Sequence, residues 1–390
     1  MSNIAIVLGR GIEGCGVTKH TVELEWWLKK ENHSVTVYAD KSKKWSRHSS
    51  HNFMNLVHVN FGKEQFEQVY EGCKSSDLII FNSLPSIGHD EKSQQSFSKL
   101  LDLNTLKVFI QHDHNKSSLR RNALSQDSYE KSDILFAHST TGDFADIVNT
   151  PNLFNLKERT VHLMQPGLDF EWHRQKYWKP IEEQDPKHHK WIGRTVSWKG
   201  YDLMLKFHDR LMEINHLTTL EGIDRSPAYM SFKENYNYYD ELKSDIENVD
   251  LDGRYGKQAS VFGAFKNEEM LERMSLCTYG YQLSLLKPKY IVHSLEFTHL
   301  ETIAVGAIPV FRKEYGDACV HRYYKKPLTE LESGTIWLSE NNIEECLDTI
   351  KKLSENEKMR EEYREMAHHC YSWYDSKYVF NDMFDVINGA

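Results

Sequence analysis

Four groups of residues in this chain have the types and spacing to do chemistry. Around Trp191–Gly200 (WIGRTVSWKG) an apolar run ends in a Gly-Arg pair, and Lys199 stands five residues after Arg194. That order reads as strand end, turn and helix start. It aims two cations and a helix N-terminus at one spot, which suits a diphosphate; the plain alternative is a solvated turn. Near the N-terminus, Gly9, Gly11 and Gly14 form a Gly-x-Gly-x-x-Gly turn after a strand, and Asp40 ends the next strand. A dinucleotide fold places its ribose-binding acid there, so a nicotinamide-dependent oxidoreductase is one hypothesis, although nothing downstream supplies a hydride-transfer site. The run Phe109–His114 sets His112 and Asp113 at the end of a buried strand. Polar groups there face a ligand crevice, which makes both candidates for catalysis or sugar contact. A metal held by His112, Asp113 and His114 would lack a distal ligand. Lastly, Glu301 opens a helix that Gly306 ends, and Pro309 enters a strand. A carboxylate so placed can hold both hydroxyls of a diol.

The elements that must position these groups follow from length and patterning. With 390 residues the chain exceeds one ordinary core, so two domains are expected. Short apolar runs alternate with amphipathic segments, the pattern of parallel strands joined by helices. Strands are expected at Ile4–Leu8, Val35–Tyr38, Leu56–Val59, Leu78–Phe81, Val108–Gln111, Ile134–Ala137 and Thr160–Leu163. The first crossover helix spans Thr18–Lys30, with Val22, Trp26 and Leu28 towards the sheet. Gln165–Pro186 reads as a linker. The alternation restarts with strands at Trp191–Gly193, Thr218–Leu220, Ser260–Phe262, Thr278–Tyr281, Ile308–Phe311 and Thr335–Trp337. Tyr229–Tyr255 looks like a polar insertion, and Ile343–Met383 is helical by composition.

Composition excludes some classes of function. No apolar stretch is long enough to span a membrane, and the chain enters a strand at Asn3 without a signal-peptide pattern. The six cysteines show no paired spacing and read as reduced thiols of a cytoplasmic protein. A net charge of −9 argues against coating nucleic acid with the whole surface. Local clusters depart from that average: Lys41, Lys43, Lys44 and Arg47 lie in an acid-free stretch, and Lys116, Arg120 and Arg121 form a second group. A third group, from His173 to Lys190, is interrupted by Glu182, Glu183 and Asp185.

The Glu301 segment resembles the nucleotide-ribose motif of GT-B glycosyltransferases, although His293 stands where many of them carry a further glutamate. A more specific resemblance runs through Arg10–Trp27, Gln111–Asn122, Trp191–Gly200, Glu221–Tyr229, Glu269–Ser275, Gly280–Ser284 and Ser294–Glu301. In matching order and over nearly the whole chain, these runs look like the DNA α-glucosyltransferases of T-even phages. The match is poorest between Tyr229 and Glu269.

The resemblance implies an α/β protein of GT-B fold, with two doubly wound Rossmann-like domains facing across a cleft. Residues 1–165 would be the acceptor (DNA) domain, 166–186 a linker, 187–370 the nucleotide-sugar domain and 371–390 a helix packing back on the first domain. It implies transfer of glucose from UDP-glucose to 5-hydroxymethylcytosine in double-stranded DNA with retention, protecting phage DNA in the host cytoplasm. The co-substrate is UDP-glucose, with no tightly bound cofactor, no protein-bound metal and a divalent cation as a stimulant at most. Arg194 and Lys199 would neutralise the diphosphate and Glu301 hold the ribose. Gly14, Gly16, Val17 and Thr18 would lie near the phosphates or sugar, and His112 and Asp113 would face the transferred sugar and the acceptor hydroxyl. Should the transfer run through a covalent intermediate, Asp113 and Glu23 are the carboxylates that could form it. The acceptor base must flip out of the duplex, with Lys41, Lys43, Lys44, Arg47, Arg120 and Arg121 on DNA phosphates. A different UDP-sugar, or a small-molecule acceptor, stays open.

Overall fold

The computed structural model describes residues 2–9, 16–40, 54–59, 61, 66–83, 91–112, 123–138, 160–194, 199–223, 267–285 and 295–389. The chain divides into two compact units. Unit 1 comprises Met1–Asp169, Pro288–Phe297 and Tyr374–Ala390; unit 2 comprises Phe170–Lys287 and Thr298–Trp373.

In unit 1 the elements run β1 (Asn3–Leu8), α1 (Gly16–Lys30), β2 (Ser34–Asp40), β3 (Leu56–Val59), α2 (Phe66–Lys74), β4 (Leu78–Phe81), α3 (Glu91–Leu101), β5 (Leu106–Gln111), α4 (Ala123–Lys131), β6 (Ile134–Ala137) and β7 (Val161–Leu163). The strands form one parallel sheet in the order β3-β2-β1-β4-β5-β6-β7. Alternate residues face opposite sides, as the pleat dictates. Ala5, Val7, Phe81 and Phe109 pack on one face with Phe97 and Tyr129 of the covering helices. Ile4, Ile6, Ile80 and Ile110 pack on the other with Leu24, Trp27 and Leu28 of α1. Burial on both faces explains why these strands read as continuous apolar runs. The helix presents Trp27 rather than Trp26 to the core: Trp27 shares the inward stripe of Leu24 and Leu28, and Trp26 lies beside it, half-buried.

Unit 2 contains α5 (Phe170–Tyr177), β8 (Asp185–Arg194), α6 (Tyr201–Glu213), β9 (Leu217–Ile223), α7 (Asn267–Ser275), β10 (Cys277–Gln282), α8 (Phe297–Ala304, its first residue counted with unit 1), β11 (Ile308–Arg312), α9 (Lys313–Ala318), β12 (Ile336–Leu338), α10 (Ile343–Glu355) and α11 (Glu357–Tyr371). Its parallel sheet runs β12-β11-β10-β8-β9. The stretch read as a linker contains α5 and a short 3-10 turn at Ile181–Glu183. The expected strand at Ser260–Phe262 and the insertion at Tyr229–Tyr255 lie outside the described residues.

The C-terminal stretch, helical as its composition suggests, divides into three α-helices. Asn356 caps α11 by accepting from the Met359 amide at 3.0 Å. Asp375 caps α12 (Ser376–Asn388) by accepting from the Lys377 amide at 3.0 Å. Each cap satisfies an orphan amide and fixes a break that composition hides. The last helix lies in unit 1, where Val379, Phe380 and Met383 join the α1 side of the core and Trp27 meets Phe384 at 5.1 Å between ring centres.

Among the described residues no helix is long and apolar enough to cross a membrane. Cys73, Cys277, Cys319, Cys346 and Cys370 are buried and form no disulfide among the described residues, and burial pushes the Cys73, Cys346 and Cys370 thiols up to about 12.

Candidate functional site

In a doubly wound sheet ligands gather beyond the carboxyl ends of the strands, where the strand order reverses. In unit 1 that reversal falls between β1 and β4. The first residue after β4 is Asn82, fully buried, and the next is Ser83, held at φ 113. A non-glycine residue in that region is strained by about 1–3 kcal/mol, and such strain concentrates at functional sites. Asn82 Nδ2 donates to Thr21 Oγ1 at 2.6 Å and lies 3.2 Å from His20 Nδ1, both on α1. Asn82 Oδ1 lies 2.5 Å from His112 Nε2, just past the end of β5. His138, just past β6, packs its ring 4.6 Å from that of His112, and the His20 ring is 5.1 Å from His112 and 5.6 Å from His138. Burial drives the His20 pKa down to about 3, so this ring is neutral in the folded protein. Three strand ends and one helix thus hold three histidines and an amide in a single polar cluster. Among the described residues no group of three or more His, Cys, Asp or Glu is arranged to hold a metal ion.

Glu23 sits close by in sequence but does other work. It is buried, forms an ion pair with Lys19 at 3.2 Å and accepts from the Asp169 amide at 2.9 Å. Burial raises its pKa, and the Lys19 charge works against that rise. Its carboxylate fastens α1 to the chain where unit 1 ends. The carboxylate named beside Asp113 is thus engaged by Lys19 and by the Asp169 amide.

In unit 2 the order reverses between β8 and β10, and the cationic turn stands there. Arg194 is the last residue of β8, paired in register with Ile223. Lys199 precedes α6 and donates to Ser284 Oγ, just past the end of β10, at 3.3 Å. Gly200 makes that approach feasible: it caps α6 at φ 69, and a Cβ there would lie 1.9 Å from the Leu283 carbonyl oxygen. Glycine is required on both counts. Glu301 is buried on α8. It lies in the second turn of a helix that opens at Phe297, so it does not open the helix as its motif suggests. Close packing of α8 on the sheet depends on Gly280 of β10, where a Cβ would meet the Thr302 methyl at 2.4 Å. The residue beside Glu301 is therefore pressed against β10, which fixes where the helix can lie.

The structure brings together His112 with His20, Asn82 and His138 in unit 1, and Lys199 with Ser284 in unit 2. Gly16, Val17 and Thr18 form the first turn of α1, with Val17 and Thr18 buried. Gly14, Asp113, Lys41, Lys43, Lys44, Arg47, Arg120, Arg121 and the side chain of Arg194 lie outside what the structure describes. Sequence reasoning missed His20, Thr21, Asn82, His138 and Ser284. Asn82 and His138 carried a signal, since each is the first polar residue after a buried strand, the rule that found His112. His20 carried none, because a histidine inside a helix says nothing about which face it takes.

A family model described as DNA alpha-glucosyltransferase matches residues 15–358. The DNA alpha-glucosyltransferase of Enterobacteria phage T4 is 37% identical over 401 residues, covering 98% of this chain and 99% of the relative. Among solved structures, an alpha-glucosyltransferase in complex with UDP-glucose and DNA containing an abasic site superposes with a TM-score of 0.87 at 35% identity, covering 99% of each chain. An alpha-glucosyltransferase bound to UDP and a 13-mer DNA containing an HMU base gives 0.86 at 34% identity, again covering 99% of each chain.

Proposed function

The chain belongs to the DNA alpha-glucosyltransferase family and has its GT-B fold, and from that premise we propose that it transfers glucose from UDP-glucose to 5-hydroxymethylcytosine in double-stranded DNA with retention. The observation that carries this reading is the full-length likeness to alpha-glucosyltransferases solved with UDP-glucose and with DNA. Both reversal points of this chain also carry fitting groups: Lys199 in unit 2 and a polar cluster in unit 1. Unit 2 takes the nucleotide sugar and unit 1 the DNA acceptor.

In the reaction the hydroxymethyl oxygen bonds to the anomeric carbon as the bond from that carbon to the β-phosphate oxygen breaks. Lys199 and Arg194 stabilise the charge that develops on UDP, the largest electrostatic demand of the step. Glu301 accepts hydrogen bonds from the ribose hydroxyls, and the Gly14–Thr18 turn approaches the phosphates or sugar. The acceptor proton passes to the departing phosphate oxygen on the same face, with Asp113 orienting the hydroxyl and His112 contacting the sugar or the acceptor. Engagement of Glu23 with Lys19 and Asp169 favours this front-side course over one through a covalent intermediate on Glu23.

A base stacked in a duplex cannot reach this centre, so the nucleotide flips out at a cost of about a few kcal/mol. Phosphate contacts from Lys41, Lys43, Lys44, Arg47, Arg120 and Arg121 offset that cost. A divalent cation stimulates at most, since the protein's own cations meet the diphosphate. The modification protects phage DNA in the cytoplasm of the infected host. The test is to incubate the protein with hydroxymethylcytosine DNA and a panel of UDP-sugars, digest, and weigh the nucleosides. A hexose gained from UDP-glucose alone, cleaved by an α- but not a β-glucosidase, supports the reading. A pentose gain, or transfer only to a small acceptor, overturns it.

A further inference from the structure

The polar cluster of unit 1 fixes its own hydrogen positions, beginning from an atom that can only accept. Thr21 Oγ1 donates its proton to the Val17 carbonyl at 2.9 Å. The oxygen it shows to Asn82 at 2.6 Å is then an acceptor, so the Asn82 atom facing it is the amide nitrogen. The second hydrogen of that nitrogen points to His20 Nδ1 at 3.2 Å, which must present a lone pair. His20 therefore carries its proton on Nε2. A charged His20 would set one N–H against another, and the deep burial that keeps this ring neutral protects the arrangement. What remains of the amide is Oδ1, an acceptor, 2.5 Å from His112 Nε2. That nitrogen must carry a hydrogen.

We propose that Asn82 is a positioning residue for transfer: held by Thr21 and His20, it locks His112 in the Nε2-protonated tautomer. The proposal rests on the reading that His112 contacts the sugar or the acceptor. The ring of His138, 4.6 Å away, limits rotation of His112, and Ser83 at φ 113 fixes the backbone on which Asn82 stands. The same logic governs any catalytic imidazole whose second nitrogen is held by a fixed partner.

Long-range proton–nitrogen spectra of protein labelled with ¹⁵N-histidine, at a pH where His112 is neutral, read the tautomer directly. The expected result is a protonated Nε2 and an unprotonated Nδ1; the reverse overturns the proposal. Asn82→Leu should yield a mixed tautomer and lower kcat by about 100-fold, as for a misplaced group at a reacting centre, with KM for UDP-glucose unchanged. Asn82→Asp keeps the acceptor and adds a charge, which should move the acid limb of the kcat profile up by about one to two pH units. The rings of His20 and His138 face His112. A folded Asn82→Asp protein whose acid limb stays in place shows a merely structural amide and overturns the proposal. If neither variant folds, the wild-type spectrum still decides. Full activity in His112→Ala would instead overturn the role given to His112, while leaving the tautomer as observed.

Discussion

Replacing Gly200 with alanine tests whether a forced backbone approach builds the donor site. The added carbon would lie 1.9 Å from the Leu283 carbonyl oxygen and 2.8 Å from its carbon. No rotamer relieves this, because the obstructing atoms are backbone. Restoring an ordinary non-bonded distance needs a parting of roughly 1.5 Å between the turn before α6 and the segment after β10. Holding alanine at φ 69 adds about 1–2 kcal/mol, and overpacking of this kind adds about 1–3 kcal/mol. The two together come to about 2–5 kcal/mol.

The strain falls on the site itself. Lys199 directly precedes Gly200 and Ser284 directly follows Leu283, so the 3.3 Å bond between them spans the contact that must open. A misplacement near 1 Å can lower activity by about 100-fold. Gly200→Ala should therefore lower the melting temperature and weaken UDP binding at least tenfold by calorimetry. Affinity for hydroxymethylcytosine DNA measured without donor should hold, since the residues proposed to hold DNA belong to unit 1. The opposite outcome is equally clear. Where alanine is tolerated, it stabilises by about 0.4–1 kcal/mol through the unfolded chain. A raised melting temperature with full UDP affinity would refute both the close approach and its role in the donor site.

Lys199→Ala should lower turnover by about 10²–10³ at saturating UDP-glucose, as expected for losing one electrostatic donor at a developing charge; full activity in a folded variant would refute the assignment. Asp113→Asn should abolish transfer to DNA and leave UDP affinity intact, and a collapse of that affinity would make Asp113 a donor or structural residue instead. Neutralising Lys41, Lys43, Lys44 and Arg47 together should weaken DNA binding and flatten its salt dependence, since each phosphate contact contributes about 0.9 to the slope of log K against log salt. Titration of this quadruple variant at several salt concentrations measures it, and an unchanged slope would mean that the loop never touches the backbone.

The sheets were legible because parallel strands buried on both faces leave unbroken apolar runs, and Ile4–Leu8, Leu78–Phe81 and Ile134–Ala137 all stand as strands. What the runs could not disclose was where polar strands extend them. β8 begins at Asp185, six residues before the apolar Trp191, because His189 and Lys190 are buried in the sheet as polar residues. His189 is accommodated by hydrogen-bond contacts of 2.6 Å to Tyr281 Oη and 2.8 Å to His216 Nδ1, partners that lie 92 and 27 residues away. A local pattern registers polarity but not the distant group that satisfies it. The same gap misassigned Trp26, since a helix with two adjacent tryptophans turns one inward only by reference to the α12 residues that meet it.

The candidate site shows that limit at its sharpest. Lys199 and Glu301 could be nominated because the groups proposed for them are charged or multiply hydroxylated, and such demands call for a fixed cation after a strand or a carboxylate on a helix. His112 was readable from its place at a strand end. Yet the state of His112 is set by Asn82, and that of Asn82 by Thr21 and His20, three residues drawn from two elements about sixty positions apart. None of the three is unusual in its own surroundings: an asparagine after a strand is turn-like, and a threonine and a histidine on a helix are ordinary. Their chemistry exists only once β4, β5 and α1 converge, when one backbone carbonyl at Val17 dictates hydrogen placement all the way to the imidazole. Sequence can nominate the group that meets substrate, but its protonation is a property of the fold.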